Sequence, residues 1–386
     1  MSEEIKNLEK TALRIKKAIK KQERIILYGD ADPDGIASVI ILKETIRSLG
    51  GAVEKIYFPN REKEGYGINR NALGFLSDLA PALFIALDCG ISNFEEVKRA
   101  KDLGFEVIIV DHHEVLGKLP EASIIVDPKQ KDDKYPFKQF SAAAIVFKLS
   151  QLLLKGRGEL ESLRNNFLEL TALSTLADMM PEIEENQTII QDGLEHLESS
   201  WRPGIRVFFN IEQIKYCDST RQAAQRIISA LNAGENKDHL HESYLLLTTS
   251  SEEEAKILAA TLLEKASQRK VYIQEIVQEI EKRIQSDLSN VIIFEGSHSW
   301  PFPLMGPIAS KVCANFKKPT FIFKKNTEES QGAVRMPKGL NGVTALISCQ
   351  DNLETFGGHP PAAGFRVKNS NLEEFKKCLI GYFSNL

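Results

Sequence analysis

Residues 25–38 read IILYGDADPDGIAS, and no other stretch narrows the fold so far. The run Ile25, Ile26, Leu27, Tyr28 is apolar without alternation, the pattern of a parallel strand buried on both faces. It ends at Gly29. Asp30, Asp32 and Asp34 then alternate before Gly35 opens an apolar helix. Ligands of open α/β sheets gather where strand ends meet helices. Three carboxylates crowded there repel one another unless a cation sits among them. An acidic turn in which Asp caps the helix is the plainer reading. D-x-D-x-D-G also resembles a calcium loop, but that loop needs a glutamate about six residues after the glycine, flanked by helices. Apolar Ile40, Ile41 and Leu42 fill that region, and a strand precedes the cluster.

The alternation continues to about residue 128. Strands are expected at 24–29, 53–58, 83–87, 106–110 and 123–126, and helices at 36–49, 68–80 and 93–104. This predicts an α/β fold, a doubly wound parallel sheet with right-handed crossovers. Two more strand ends carry the same chemistry. FIALDCG closes one with Asp88, and Asp111, His112 and His113 close another. Chain-distant Asp and His at one sheet edge form a constellation, which a single acidic turn does not. A lone strand-end Asp caps a helix more often than it binds a metal, but three such ends with a histidine pair favour the metal.

The remaining chain is mostly helical at first. Residues 3–23 form an amphipathic helix with a solvated lysine face. Residues 140–199 look helical, with Ser141 as a cap and Asp178 ending an apolar stretch where an unpaired carboxylate is costly to bury. A metal or a helix-end hydrogen bond would each settle Asp178. Residues 251–286 carry a long helical stripe, about 50 Å at 1.5 Å per residue, enough to link two lobes. A last domain starts near Asn290, with strands around 290–295, 320–324, 331–335 and 364–368 and helices near 305–316 and 372–384. Its glycine-rich segment 356–365 contains Gly357, Gly358 and His359. Those glycines permit close backbone approach to a ligand, and a tight turn explains them equally well.

A net charge of −4 over 386 residues gives no global basic signature, so a nucleic acid would be held by local patches and metal ions. The cysteines at 89, 217, 313, 349 and 378 make no C-x-x-C pair, which predicts reduced thiols and no zinc module. Cys89 reads as a small buried residue rather than a nucleophile. No segment approaches a membrane span and no apolar signal core opens the chain, so a soluble, cytoplasmic protein without membrane partners is expected.

Asp111-His112-His113, the Asp30/Asp32/Asp34 cluster, Asp88, Asp178 and the distal Gly357-Gly-His359 together resemble the DHH phosphoesterase superfamily, and within it the RecJ-like single-strand exonucleases. The likeness runs from about residue 24 to 368. It includes Pro59-Asn-Arg61, Glu64-Gly-Tyr-Gly67, Val126-Asp-Pro-Lys129, Tyr135-Pro-Phe-Lys138, Pro181, Glu185-Asn186, Arg202-Pro-Gly204, Leu231-Asn-Ala-Gly234 and Ile308-Ala-Ser310. The resemblance implies a DHH domain at 1–200, a helical connector at 201–289, and a smaller α/β DHH-associated domain at 290–386 that grips nucleic acid across a cleft. It implies two divalent ions, manganese or alternatively magnesium, on Asp30, Asp32, Asp34, Asp88, His112 and Asp178, with Asp88 bridging. Asp111 would orient His112, and His113 would lie close to a metal or the scissile phosphate. Arg61 and Arg335 would hold phosphates, and Gly357, Gly358 and His359 would meet the substrate. The mixed oxygen and imidazole donors suit Mn²⁺ or Mg²⁺ better than zinc thiolate chemistry.

The implied activity is hydrolysis of single-stranded DNA or RNA from an end, with DNA-repair or replication proteins as partners. A phosphodiesterase for short oligonucleotides or cyclic dinucleotides is the alternative, and a replication scaffold a third reading, against which every filled metal position argues. The chain departs from the family at Glu235 and Asn236, where an arginine associated with the nucleic-acid end is common, and at Pro301, where a histidine is usual. Many relatives add an oligonucleotide-binding fold after the second domain. None follows before Leu386, so a weaker grip on long strands is expected.

Overall fold

Strands β1 (Ile25–Gly29), β2 (Lys55–Tyr57), β3 (Ala82–Leu87), β4 (Phe105–Val110) and β5 (Ile124–Val126) form one sheet. All pair in parallel, in the order β2-β1-β3-β4-β5. The computed structural model describes residues 4–115, 117–284 and 290–385. Residues 3, 285 and 286, the outer ends of two expected helices, lie outside them.

Side chains of this sheet alternate between two apolar layers. Ile25, Leu27, Leu83, Ile85, Ile108 and Val110 pack on one face, and Ile26, Tyr28, Phe84, Ala86, Val107 and Ile109 on the other. Both faces are covered, so the strands read as unbroken apolar runs. Helices α1 (Leu8–Lys20), α2 (Pro33–Ser48), α3 (Arg70–Leu76), α4 (Phe94–Asp102), α5 (Ala142–Leu154), α6 (Glu159–Ala177) and α7 (Glu184–Glu195) follow in chain order. Residues of α1, α2, α5 and α6 join the first layer, and those of α3 and α4 the second. The crossover from β1 to β2 therefore lies on one face, and the next two on the other. The winding reverses between β1 and β3, and a crevice at such a reversal is where open α/β sheets bind ligands.

Helix α2 is set hard into this crevice. A Cβ on Gly35 would stand 2.4 Å from the Asp30 carbonyl oxygen, so only glycine lets the first turn of α2 sit on the end of β1. Ile36, Ile40, Ile41 and Leu42 are fully buried behind it. At about 1.5–3 kcal/mol per buried apolar side chain, this burial fixes where Asp32 and Asp34 emerge.

The chain divides into two compact units, Met1–Ala266 and Ser267–Leu386. The first also holds a hairpin of β6 (Asn236–Lys237) and β7 (Leu240–His241). The expected long helix runs over Glu252–Ile284 from the first unit into the second. Ala255, Ala259 and Leu262 join the core of the first unit, and Ile276, Val277 and Ile280 that of the second.

The second unit is a five-stranded sheet of β8 (Ile293–Ser297), β9 (Thr320–Lys325), β10 (Glu329–Arg335), β11 (Thr355–His359) and β12 (Ala362–Lys368), ordered β11-β12-β10-β9-β8. Only β8 and β9 are parallel. The glycine-rich segment supplies β11 itself, an edge strand joined to β12 by a tight turn. Glycine's low strand propensity hid it from the sequence. A short helix at Gly342–Ser348 was likewise unexpected.

The reading of five reduced thiols is corrected: Cys349, just after the helix Gly342–Ser348, forms a disulfide with Cys378 in the middle of the helix Leu372–Ser384, while Cys89, Cys217 and Cys313 are free. A separation of 29 residues carries no sequence signal for such a pair. Among the described residues no helix is long and apolar enough to cross a membrane.

Candidate metal centre

Asp30 follows β1 and is fully buried. Its Oδ1 accepts the Ala31 amide at 2.8 Å and Arg61 Nε at 2.9 Å, and its Oδ2 pairs with Arg61 Nη2. Asp32 divides its oxygens. Oδ1 caps α2 by accepting the amides of Asp34 and Gly35, each at 3.0 Å, and Oδ2 accepts from Arg61 Nη2 at 2.8 Å. The helix-cap reading and the cluster reading thus hold for one carboxylate. Asp34 is buried against the start of α5, accepting the amides of Ala142 and Ala143 at 2.8 Å each and the Ser174 hydroxyl. The positive end of a helix favours an anion there. Burial, and then the charge of Asp32, still push Asp34 up to about 6.

Asp88 follows β3 with φ of 61°, a left-handed conformation that aspartate tolerates better than most residues. It is buried, and its Oδ1 has no hydrogen-bond partner among the described residues. The same holds for Asp178 Oδ2 at the end of α6. Burial and neighbouring carboxylates, Asp34 first, raise both groups well above the ordinary carboxylate range.

His112 faces these oxygens. Its Nδ1 lies 2.8 Å from the Phe140 carbonyl, which can only accept, so the proton sits on Nδ1. Nε2 presents its lone pair 3.2 Å from Asp88 Oδ1, 3.5 Å from Asp178 Oδ2 and 3.7 Å from Asp34 Oδ2. Burial pushes His112 down to about 3 and keeps the imidazole neutral.

Asp111 meets His112 through its backbone and His113 through its ring. Asp111 Oδ1 lies 2.7 Å from His113 Nδ1 and takes only the backbone amide of His112, at 2.8 Å, while Oδ2 accepts the Ile91 amide at 3.0 Å. The Phe140 carbonyl already occupies His112 Nδ1. Against its own burial, the charge of Asp111 carries His113 up to about 9, and His113 in turn holds Asp111 well below the usual range.

Sequence reasoning missed two participants. The Tyr66 hydroxyl lies 2.9 Å from His113 Nε2, and its ring lies 5.5 Å from the Arg61 guanidinium. It sits inside Glu64-Gly-Tyr-Gly67, a matched segment that pointed to it. Ser174 lies one turn before Asp178 on α6, and only the fold brings it to Asp34.

The ligand atoms of Asp30, Asp32 and Asp88 lie within 4.8 Å of one another, and so do those of Asp34, Asp88 and His112. The two groups share Asp88. Buried carboxylate oxygens without partners around a neutral imidazole lone pair fit divalent cations that prefer oxygen with some nitrogen. Cys89 stays outside the set, its thiol pushed up by burial.

Arg61 lies on the acidic cluster, its charge shared with Asp30 and Asp32. Arg335, Gly357, Gly358 and His359 belong to the second unit. Arg335 Nε donates to Ser310 Oγ at 2.9 Å, and the other three end β11. Glu235 is exposed and pairs with Lys265 at 2.9 Å.

A family model described as DHH family, N-terminal domain, matches residues 24–175. The single-stranded-DNA-specific exonuclease RecJ of Bacillus subtilis is 33% identical over 97% of this chain and 48% of its own length. That of Thermus thermophilus is 27% identical over 98% of this chain and 54% of its own length. The chain thus spans about half the length of these two relatives. A crystal structure of exonuclease RecJ bound to manganese matches with a TM-score of 0.77 at 26% identity, covering 100% of this chain and 96% of that one.

Proposed function

We propose that the chain is a member of the DHH family, and within it a metal-dependent phosphodiesterase that hydrolyses single-stranded nucleic acid from an end; the family model over residues 24–175 and the 33% identity to a RecJ exonuclease support this. One observation carries the reading: Asp88 is common to both ligand groups, and its Oδ1 is buried without a hydrogen-bond partner among the described residues. We assign Asp30, Asp32, Asp34, Asp88, His112 and Asp178 as the residues that would hold the ions, with Asp88 as the carboxylate that would serve both. Two Mn²⁺ ions, or Mg²⁺, would supply an acidified water and steady the attacking and leaving oxygens of the phosphodiester.

The residues themselves set the geometry. Asp34, tied to α5, and His112, tied to the Phe140 carbonyl, cannot turn away from Asp88. Arg61 gives its Nε and Nη2 donors to Asp30 and Asp32 and brings its positive charge to the cluster, where that charge would favour a phosphate. His113, held through Nδ1 by Asp111, keeps Nε2 and the Tyr66 hydroxyl together as a polar pair for a phosphate oxygen.

We read residues 1–200 as the DHH domain, 201–289 as the connector and 290–386 as the DHH-associated domain. Arg335, Gly357, Gly358 and His359 are its substrate contacts. Such a substrate would place the chain in the cytoplasm and its partners among DNA-repair or replication proteins. The test is incubation of the protein and Mn²⁺ with end-labelled single-stranded DNA, RNA and dinucleotides. Stepwise shortening of a single strand is expected. Cleavage confined to dinucleotides would transfer the assignment to a short-oligonucleotide phosphodiesterase, and no cleavage of any would overturn it.

A further inference from the structure

Two segments carrying assigned ligands are held by one buried side chain that is not a ligand. Asn186, on α7, is fully buried. Its Nδ2 donates to the Gln139 carbonyl at 2.6 Å and to the Pro181 carbonyl at 2.9 Å. Both partners only accept, so the amide orientation is fixed by chemistry. Gln139 precedes Phe140, whose carbonyl sits 2.8 Å from His112 Nδ1. Pro181 closes the turn that begins at Asp178, where Met179 adopts φ of 55°. The neighbouring Glu185 grips the same loop, accepting the Tyr135 hydroxyl at 2.6 Å and pairing with Lys148.

We propose that Asn186 is a positioning residue for the metal centre: its amide ties the Gln139 carbonyl, one residue before the Phe140 carbonyl that sets the His112 tautomer, to the turn that places Asp178. The proposal rests on reading His112 and Asp178 as ligands. Groups that orient metal ligands from behind typically govern affinity by 10–100-fold. Without the amide donors, the 139–140 carbonyls and the 178–181 turn move independently, and the 3.5 Å approach of His112 Nε2 to Asp178 Oδ2 is no longer set.

Calorimetric titration of the metal-free full chain with Mn²⁺ tests this. Asn186→Leu should bind Mn²⁺ about 10–100-fold more weakly than the unsubstituted protein. Ser150→Ala, which breaks the buried Ser150–Thr45 hydroxyl pair between α5 and α2, should lose stability and keep its affinity within about twofold. Unchanged affinity in folded Asn186→Leu overturns the proposal, as does an equal loss in Ser150→Ala, which would mean general loosening. If Asn186→Leu does not fold, Asn186→Asp replaces it. Its carboxylate repels both carbonyls at pH 8, and the same loss is expected there, with unchanged affinity overturning the proposal. Asp88→Asn in the same titration separates the two readings. Uptake lost in Asp88→Asn but intact in Asn186→Leu removes only the positioning role, while no uptake by the unsubstituted protein removes the metal reading itself.

Discussion

The Arg61 guanidinium clasps the Asp30 carboxylate through both of its oxygens, with Nε 2.9 Å from Oδ1 and Nη2 on Oδ2. Asp30 is fully buried and Asp32 shares the same Nη2, so one cation offsets two carboxylates. Removing one partner of a buried pair costs about 3–5 kcal/mol. Arg61 is 31% exposed on its side chain, which lowers the figure to roughly 2 kcal/mol. Arg61→Met should therefore melt earlier in EDTA and gain more in Tm from Mn²⁺ than the unsubstituted protein, because the metal restores the missing charge. Thermal melts with and without Mn²⁺ check this, and equal metal responses would contradict it.

Asp88→Asn keeps the shape and suits the left-handed φ of 61° that alanine would strain. It should reduce Mn²⁺-dependent hydrolysis by about 10³-fold, roughly 4 kcal/mol of transition-state stabilisation. The metal-free variant should melt higher, since a buried, crowded carboxylate has been neutralised. Near-normal turnover by purified Asp88→Asn would falsify the two-metal mechanism.

Glu169, buried on α6 beside Arg202 and away from the cluster, makes a pH prediction. Burial, only partly offset by the hydrogen bond from Ser200 and the charge of Arg202, pushes it up to about 7. The folded state then holds a proton that the unfolded state, near 4.3–4.5, releases. Its contribution is fully present below about pH 4.5 and lost as pH rises through 7. Glu169→Gln should remove that slope, gaining on the order of 2–3 kcal/mol over the parent at pH 8 relative to pH 4.5. Urea melts at several pH values measure it, and parallel pH profiles would refute the assignment.

The sheet and its acidic edge were legible because both rest on short-range patterns. Unbroken apolar runs locate β1, β3 and β4, and chain-distant Asp and His at their ends converge because strand ends of a parallel sheet share an edge. The partners of those residues were not legible. The Phe140 carbonyl and the Ala142 and Ala143 amides are backbone atoms with no sequence signature, yet they fix His112 and Asp34. For the same reason the contact of Asp111 with the His113 ring, beside its hold on the His112 amide, was not legible. β11 was hidden by its glycines, and the Cys349–Cys378 pairing depends on how two elements 29 residues apart pack.

Glu235 stands where the family resemblance places an arginine associated with the nucleic-acid end. In the structure its carboxylate is 77% exposed on the side chain and pairs with Lys265 at 2.9 Å, while Lys265 also pairs with Glu242 at 2.7 Å. Exposed pairs of this kind contribute about 0–1 kcal/mol. Glu235→Arg should thus leave the fold intact and Lys265 still paired with Glu242. It exchanges a negative charge for a positive one at an exposed site, so the gain in affinity for a terminal phosphate belongs to the same scale. About 1 kcal/mol corresponds to roughly fivefold. The unsubstituted protein should cleave 5′-phosphate and 5′-hydroxyl single strands at similar rates, and Glu235→Arg should favour the 5′-phosphate by that factor. The gain should shrink between 50 and 200 mM salt, because exposed phosphate contacts are screened. A strong 5′-phosphate preference in the unsubstituted protein would mean that another residue recognises the terminal phosphate and that Glu235 is a solvated side chain with no part in it.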